Sequence, residues 1–217
     1  SLFSVPIIAF FLPPTTSMIL LCFPVLITNI IQMKISEGVS SYRFLPMFVA
    51  LMIGIIIGCN LILKIELSII SQIIAVSVIF AAIINLFGIN LKFVNSDIER
   101  VFTIILGLFS GVIGGISNMY APYILAYLIS SDLEKKSLIR TIATLYFFGS
   151  ILIFPIWIYK GIGSKDELIW SCLLLLPAIL GQKIGEKISD KISNKTFKRI
   201  ILYTLMIIGF SLFVKNL

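Results

Sequence analysis

Val101–Ser131 reads VFTIILGLFSGVIGGISNMYAPYILAYLISS, 31 residues without one Asp, Glu, Lys or Arg. As a continuous α-helix rising 1.5 Å per residue it would reach about 46 Å. The hydrocarbon core of a bilayer is only about 30 Å thick, and two full passes would need about 40 residues. The stretch is too long for one span and too short for two. Its middle holds Gly107, Gly111, Gly114, Gly115, Asn118 and Pro122, residues that weaken or break helices. We therefore read two half-helices that meet inside the membrane at Gly114–Pro122.

The chain around this stretch has the same solvent. Six further runs lack charge: Ser1–Met33, Phe44–Leu63, Leu67–Leu91, Thr141–Tyr159, Leu168–Gln182 and Ile200–Val214. With Val101–Ser131 they take up 158 of 217 residues. Apolar residues are 59% and charged residues 12%, against about 45–50% and about 25% in soluble domains. A soluble fold of this size cannot hide so much apolar surface. The fold class is all-α, a polytopic helical membrane protein; a barrel would alternate polar and apolar residues along each strand.

Pro13-Pro14 breaks the first run, and Thr15, Thr16 or Ser17 could cap the helix that follows. Phe44–Leu63 and Leu67–Phe87, three residues apart, form an antiparallel hairpin. If Val101–Ser131 enters the membrane and returns, 13 of the 17 Lys and Arg fall on one side, and the positive-inside rule favours that arrangement over a single crossing. The two parts of the chain also resemble each other. Gly54 and Gly58 match Gly181 and Gly185 at an offset of 127, and Ser4-Val-Pro6 resembles Tyr120-Ala-Pro122. Two inverted repeats are expected, 1–91 and 92–217, joined by broken helices near the midplane.

Several chemistries are excluded or disfavoured. There is no histidine, which removes Ser-His-Asp and Cys-His catalysis and HExxH zinc sites. No carboxylate lies well inside a span, so an aspartyl dyad is not expected. Cys22, Cys59 and Cys172 sit in apolar runs without a CxxC, and read as core residues rather than a metal or disulfide framework. No cofactor, metal or catalytic residue is expected. The net charge of +7 reads as basic loops at the cytoplasmic face rather than as a nucleic-acid surface. The basic connector Lys183–Arg199 is either a solvated loop or a contact for anionic membrane lipid. Trp157, Tyr159 and Trp170, at span ends, read as an interfacial belt. Pro24, Pro155 and Pro177 read as kinks. Ser1–Met33 has no basic n-region and does not read as a signal peptide.

GLFSGVIGG at Gly107–Gly115, APYILAYLI at Ala121–Ile129, KKSLIRTIAT at Lys135–Thr144 and the stretch Leu175–Phe213 together resemble the TauE/SafE family of sulfite and organosulfonate exporter-like permeases. Val5-Pro6 and FLPMFVALMIGIIIG in the first half fit the same family more loosely. The resemblance implies that the family's first helix and its N-terminal glycine-rich motif are missing ahead of Ser1, so that the first repeat is incomplete. It also implies a permease for small sulfur-containing or organic anions in a bacterial cytoplasmic (inner) membrane. A homodimer is left open.

Each candidate residue has a plainer reading beside the functional one. The glycines at 107, 111, 114 and 115 either allow close helix packing or open a break whose free N–H groups favour an anion. Ser117 and Asn118 would add donors there, and Pro122 would shape the turn. Arg140 is either an interfacial cation or, with Thr141, a partner for a substrate oxyanion. Thr28 and Asn29 read as interhelical hydrogen bonds. We expect the substrate site at Gly114, Gly115, Ser117, Asn118, Pro122, Arg140 and Thr141, with Pro6, Thr16 and Ser17 as the first-half counterpart. The alternative is a membrane-embedded binding or assembly subunit that transports nothing.

Overall fold

The computed structural model describes residues 4–35, 42–87, 96–131, 133, 135–191, 203 and 207. Among them all regular structure is helical. In chain order the α-helices are α1 (Ser4–Phe11), α2 (Pro14–Leu20), α3 (Cys22–Ile35), α4 (Leu45–Leu61), α5 (Leu67–Phe87), α6 (Ser96–Ser117), α7 (Ala121–Ser130), α8 (Lys135–Tyr159), α9 (Lys165–Leu173) and α10 (Leu175–Lys191). Among the described residues four spans are long and apolar enough to cross a membrane: α4 to Lys64, α6, α8 from Ser137, and α9 with α10 to Ile188. The pair α2–α3, bent by 44°, makes a fifth if counted as one. The expected span Ile200–Val214 lies outside the described residues except for Tyr203 and Ile207, both exposed.

Among the described residues the closest helix pairing joins α4 to α6. Gly107 sits against the backbone of Met47, Gly111 against Leu51 and Gly54, and Gly115 against Ile55, Gly58 and Cys59. Rising numbers on one helix meet rising numbers on the other, so the two run parallel. Glycine spacing of this kind lets membrane helices approach until their backbones touch. The hairpin partner α5 (antiparallel to α4 across its short connection) returns the chain to the end where α6 begins.

The return arm α7 runs back along α6. Tyr120 lies on Gly114, Tyr123 packs on Phe109 with ring centres 5.3 Å apart, and Tyr127 packs on Phe102 at 6.0 Å. The hairpin therefore enters and returns, as the charge count suggested. Its arms are unequal, however. α6 has 22 residues, about 33 Å of helix, and α7 has 10. The first arm is a full-length helix and not the half-helix expected, because Gly107, Gly111 and Gly115 pack against α4 instead of ending it. α8 then recrosses in the direction of α6. Consequently Arg43, Glu99, Arg100 and Arg140 mark one end of the bundle, and Lys64, Lys160 and Lys165 the other.

Other side chains depart from the sequence reading for local reasons. The residue before α2 is Pro13, which offers no side-chain cap, and Thr15–Ser17 lie inside the helix. Ser17 Oγ donates to the Pro13 carbonyl at 3.0 Å. Thr28 Oγ1 donates to the Pro24 carbonyl (2.6 Å) and Asn29 Nδ2 to the Val25 carbonyl (2.6 Å), so both are satisfied within α3 rather than between helices. Pro24 does follow a bend, the 44° break between α2 and α3, and Pro177 follows the break between α9 and α10; both fall in the first turn of the new helix, where the missing N–H costs little. Cys22 and Cys59 are buried, but Cys172 is exposed and is not a core residue.

Candidate functional site

α6 stops at Ser117 because Asn118 takes a left-handed conformation, φ 58°. Asparagine tolerates that region better than most residues. Its N–H closes the last turn on the Gly114 carbonyl at 2.7 Å. Met119 and Tyr120 follow, and Pro122 starts α7 in the first turn, where its missing donor does no harm. Two helix ends of opposite polarity thus meet in one break. The carbonyl end of α6 carries a partial negative charge, and the N–H end of α7 a partial positive one.

The wall facing this break is α8. Trp157 is wholly buried, and its Nε1–H donates to the Gly115 carbonyl at 3.0 Å. This corrects the reading of Trp157 as a belt residue; Tyr159 and Trp170 are both strongly exposed. Tyr120 is also fully buried. It fills the space left by Gly114, its hydroxyl donates to the Tyr146 carbonyl at 3.2 Å, and its ring lies 4.7 Å from that of Tyr146. Gly149 gives the Tyr120 hydroxyl room.

Within this packed region Asn118 stands out. Its side chain is 0% exposed, and neither Oδ1 nor Nδ2 has a hydrogen-bond partner among the described residues. Ser110 Oγ, two turns earlier on α6, is buried and unpaired in the same way. Each such group costs about 1–3 kcal/mol, which a fold sustains where the group serves something other than stability. Ser117 is different: its Oγ donates to the Ile113 carbonyl at 2.8 Å and is already engaged.

Of the ten candidate residues, Gly114, Gly115, Ser117, Asn118 and Pro122 lie together at the break. Arg140 and Thr141 do not join them. Nine residues of α8 separate Arg140 from Gly149 and 17 separate it from Trp157, about 14 and 25 Å along the helix axis. Thr141 is buried near the same end of α8. Thr16 faces the Glu167 carboxylate, which caps α9 through Ser164, at the end where α8 finishes. Ser17 is turned back onto its own helix, and Pro6 is buried in α1. Trp157, Tyr120 and Tyr146 were the residues missed. A tyrosine set between Asn118 and Pro122 was the one visible signal.

The outer end of the return arm is tied down by charge. Tyr127 donates from its hydroxyl to Glu99 at 2.5 Å, and the Arg43 guanidinium donates to the same carboxylate. That hydrogen bond to Glu99 raises the pKa of Arg43 above its ordinary value. One carboxylate thus joins α6, α7 and the segment before α4.

A family profile, Sulfite exporter TauE/SafE, matches residues 1–212 of the chain. The chain belongs to the sulfite exporter TauE/SafE family. No curated protein and no solved structure matches it. The family assignment makes the molecule a multi-pass membrane transporter of the sulfite exporter type, in keeping with its apolar helices. Both arms of the α6–α7 hairpin, and the α8 wall opposite, lie inside the matched region.

Proposed function

We propose that the protein is a permease that moves small sulfur-containing or organic anions, sulfite or sulfonates among them, across a bacterial cytoplasmic membrane by alternating access. The observation that carries this reading is the α6–α7 break: a helix N-terminus beside a buried asparagine amide with no hydrogen-bond partner among the described residues. N–H groups at such an end favour an anion. Gly114 and Gly115 let the walls close in, Asn118 supplies the amide donor, and Pro122 fixes the start of α7. Arg140, with Thr141, stands at the mouth on the basic end, where a cation attracts an anion before it enters.

The halves 1–91 and 92–217 act as inverted repeats in this reading. Support comes from chain direction. The N-terminal end of α3 lies at the C-terminal end of α8, because Phe23 N–H donates to Ser171 Oγ and Ile19 packs on Gly163. The pair α2–α3 therefore runs against α8. The test is anion flux in proteoliposomes holding the full chain, with sulfite, thiosulfate, sulfoacetate, taurine and acetate as substrates. We expect saturable flux of at least one sulfur anion, reduced at least tenfold by Asn118→Leu and raised in KM with little change in kcat by Arg140→Gln. No flux of any anion from protein that remains folded sinks the proposal and favours a non-transporting subunit.

A further inference from the structure

α8 ends in a glycine-capped turn that fixes the residue after it. Ile162 N–H donates to the Trp157 carbonyl at 2.9 Å, Gly161 N–H to the Ile158 carbonyl at 3.0 Å, and Gly161 takes φ 74°. These are the two bonds of a Schellman cap. Lys160, whose own N–H donates to the Ile156 carbonyl at 3.0 Å, is therefore held in the last turn, three residues past Trp157 and on its face of α8. Trp157 is tied to Gly115, and Asn118 lies three residues past Gly115 on α6. The two helices run the same way, so each advances about 4.5 Å from that tie, and Lys160 stands at the level of Asn118. Cys59 lies between them: its backbone packs on Gly115, and the Lys160 ammonium acts electrostatically on its thiol. Lys160 is half-buried and makes no ion pair among the described residues. The carbonyl end of α6 is already served, since Ile113, Gly114 and Gly115 accept from Ser117 Oγ, Asn118 N–H and Trp157 Nε1–H. Left over at this level are an ammonium with three N–H donors, both amide atoms of Asn118 and the N-terminus of α7.

We propose that Lys160 is the countercharge of the anion at the α6–α7 break. Its ammonium donates to the anion and to Asn118 Oδ1, while Asn118 Nδ2 donates to the anion, so the orphaned amide and the unpaired lysine are satisfied together. The other side chains at this level, Ser117, Tyr120, Tyr146 and Trp157, are uncharged. One positive charge offsets one negative charge, and a second negative charge would be desolvated without a partner. The site therefore takes monovalent oxyanions, such as alkyl sulfonates, in preference to divalent ones such as sulfate. The inference rests on the permease reading, which places the anion at the break. A lysine at a helix C-terminus is also favoured by the helix dipole, a role that needs no anion and that the test separates.

The test uses the full chain carrying Trp170→Phe. The chain has two tryptophans, so Trp157 becomes the sole reporter, three residues from Lys160. Sodium methanesulfonate or sodium sulfate replaces sodium gluconate at constant ionic strength. Methanesulfonate should change the emission saturably and bind more tightly than sulfate. Lys160→Gln should weaken methanesulfonate by about tenfold or more. Lys160→Arg, which keeps the charge, should hold most of the affinity, and Lys64→Gln, an exposed lysine at the same end, should hold all of it. No saturable response in the parent, or sulfate bound as tightly as methanesulfonate, would overturn the proposal. So would equal losses in Lys160→Gln and Lys64→Gln, or in Lys160→Gln and Lys160→Arg. A lower melting temperature in Lys160→Gln with unchanged affinity makes Lys160 a helix-end charge only, and also overturns it. Liposome flux separates the two readings. Methanesulfonate flux equal in the parent and Lys160→Gln removes the role of Lys160 and leaves the permease standing. No flux of any anion from the folded parent removes the permease, and the role of Lys160 with it.

Discussion

Trp157 is the residue at which sequence and structure part most clearly. Two positions from the end of an apolar helix, a tryptophan reads as interfacial, because composition records its depth and not its direction. Its direction is set by α6, whose last turn ends at the same level and leaves the Gly115 carbonyl without an intrahelical partner. Replacing Trp157 with Phe keeps most of the volume and strands that carbonyl. We expect a loss of about 1–3 kcal/mol, seen as a melting temperature several degrees lower in detergent. Trp170→Phe, on the exposed face of α9, should shift it little. Equal melting of the two variants would remove the hydrogen bond from the account. Arg140 illustrates the opposite limit. Its place at the start of an apolar run was legible, but which level of α8 faces the break depends on packing that no single stretch encodes.

At the scale of the element, the glycine spacing was legible and its partner was not. Gly54/Gly58 and Gly181/Gly185 look alike in sequence. Only the first pair is pressed against another backbone, while a methyl group on Gly181 or Gly185 meets nothing among the described residues. The same contact explains why α6 runs unbroken up to the expected break: glycines that appeared to weaken α6 are packed against α4. Gly111→Leu must push Leu51 and Gly54 away, a cost at the upper end of core overpacking, about 3 kcal/mol. We expect its monodisperse yield and melting temperature to fall sharply, with Gly181→Ala close to the parent. If Gly111→Leu matches the parent in size-exclusion profile and melting, the α4–α6 contact is not what orders this pair.

On the scale of the whole molecule, the charge count depends only on how often the chain crosses, so it was open to reading from sequence. The structure groups Arg43, Arg100 and Arg140 at one end and Lys64, Lys160 and Lys165 at the other, and the basic end should face the cytoplasm. With Cys22, Cys59 and Cys172 replaced, a cysteine at Lys64 or Lys160 should react with an impermeant maleimide added to intact cells, and one at Arg100 only after permeabilisation. The reverse pattern would invert the orientation. The parallel pairing of α4 with α6 also constrains how the protein is made. Gly54 and Gly111 are separated by 57 residues, and ribosomes add roughly 5–20 residues per second. For about 3–11 s of each synthesis α4 is in the bilayer without its partner, its glycine face open to lipid or to whatever chaperones the insertion machinery supplies.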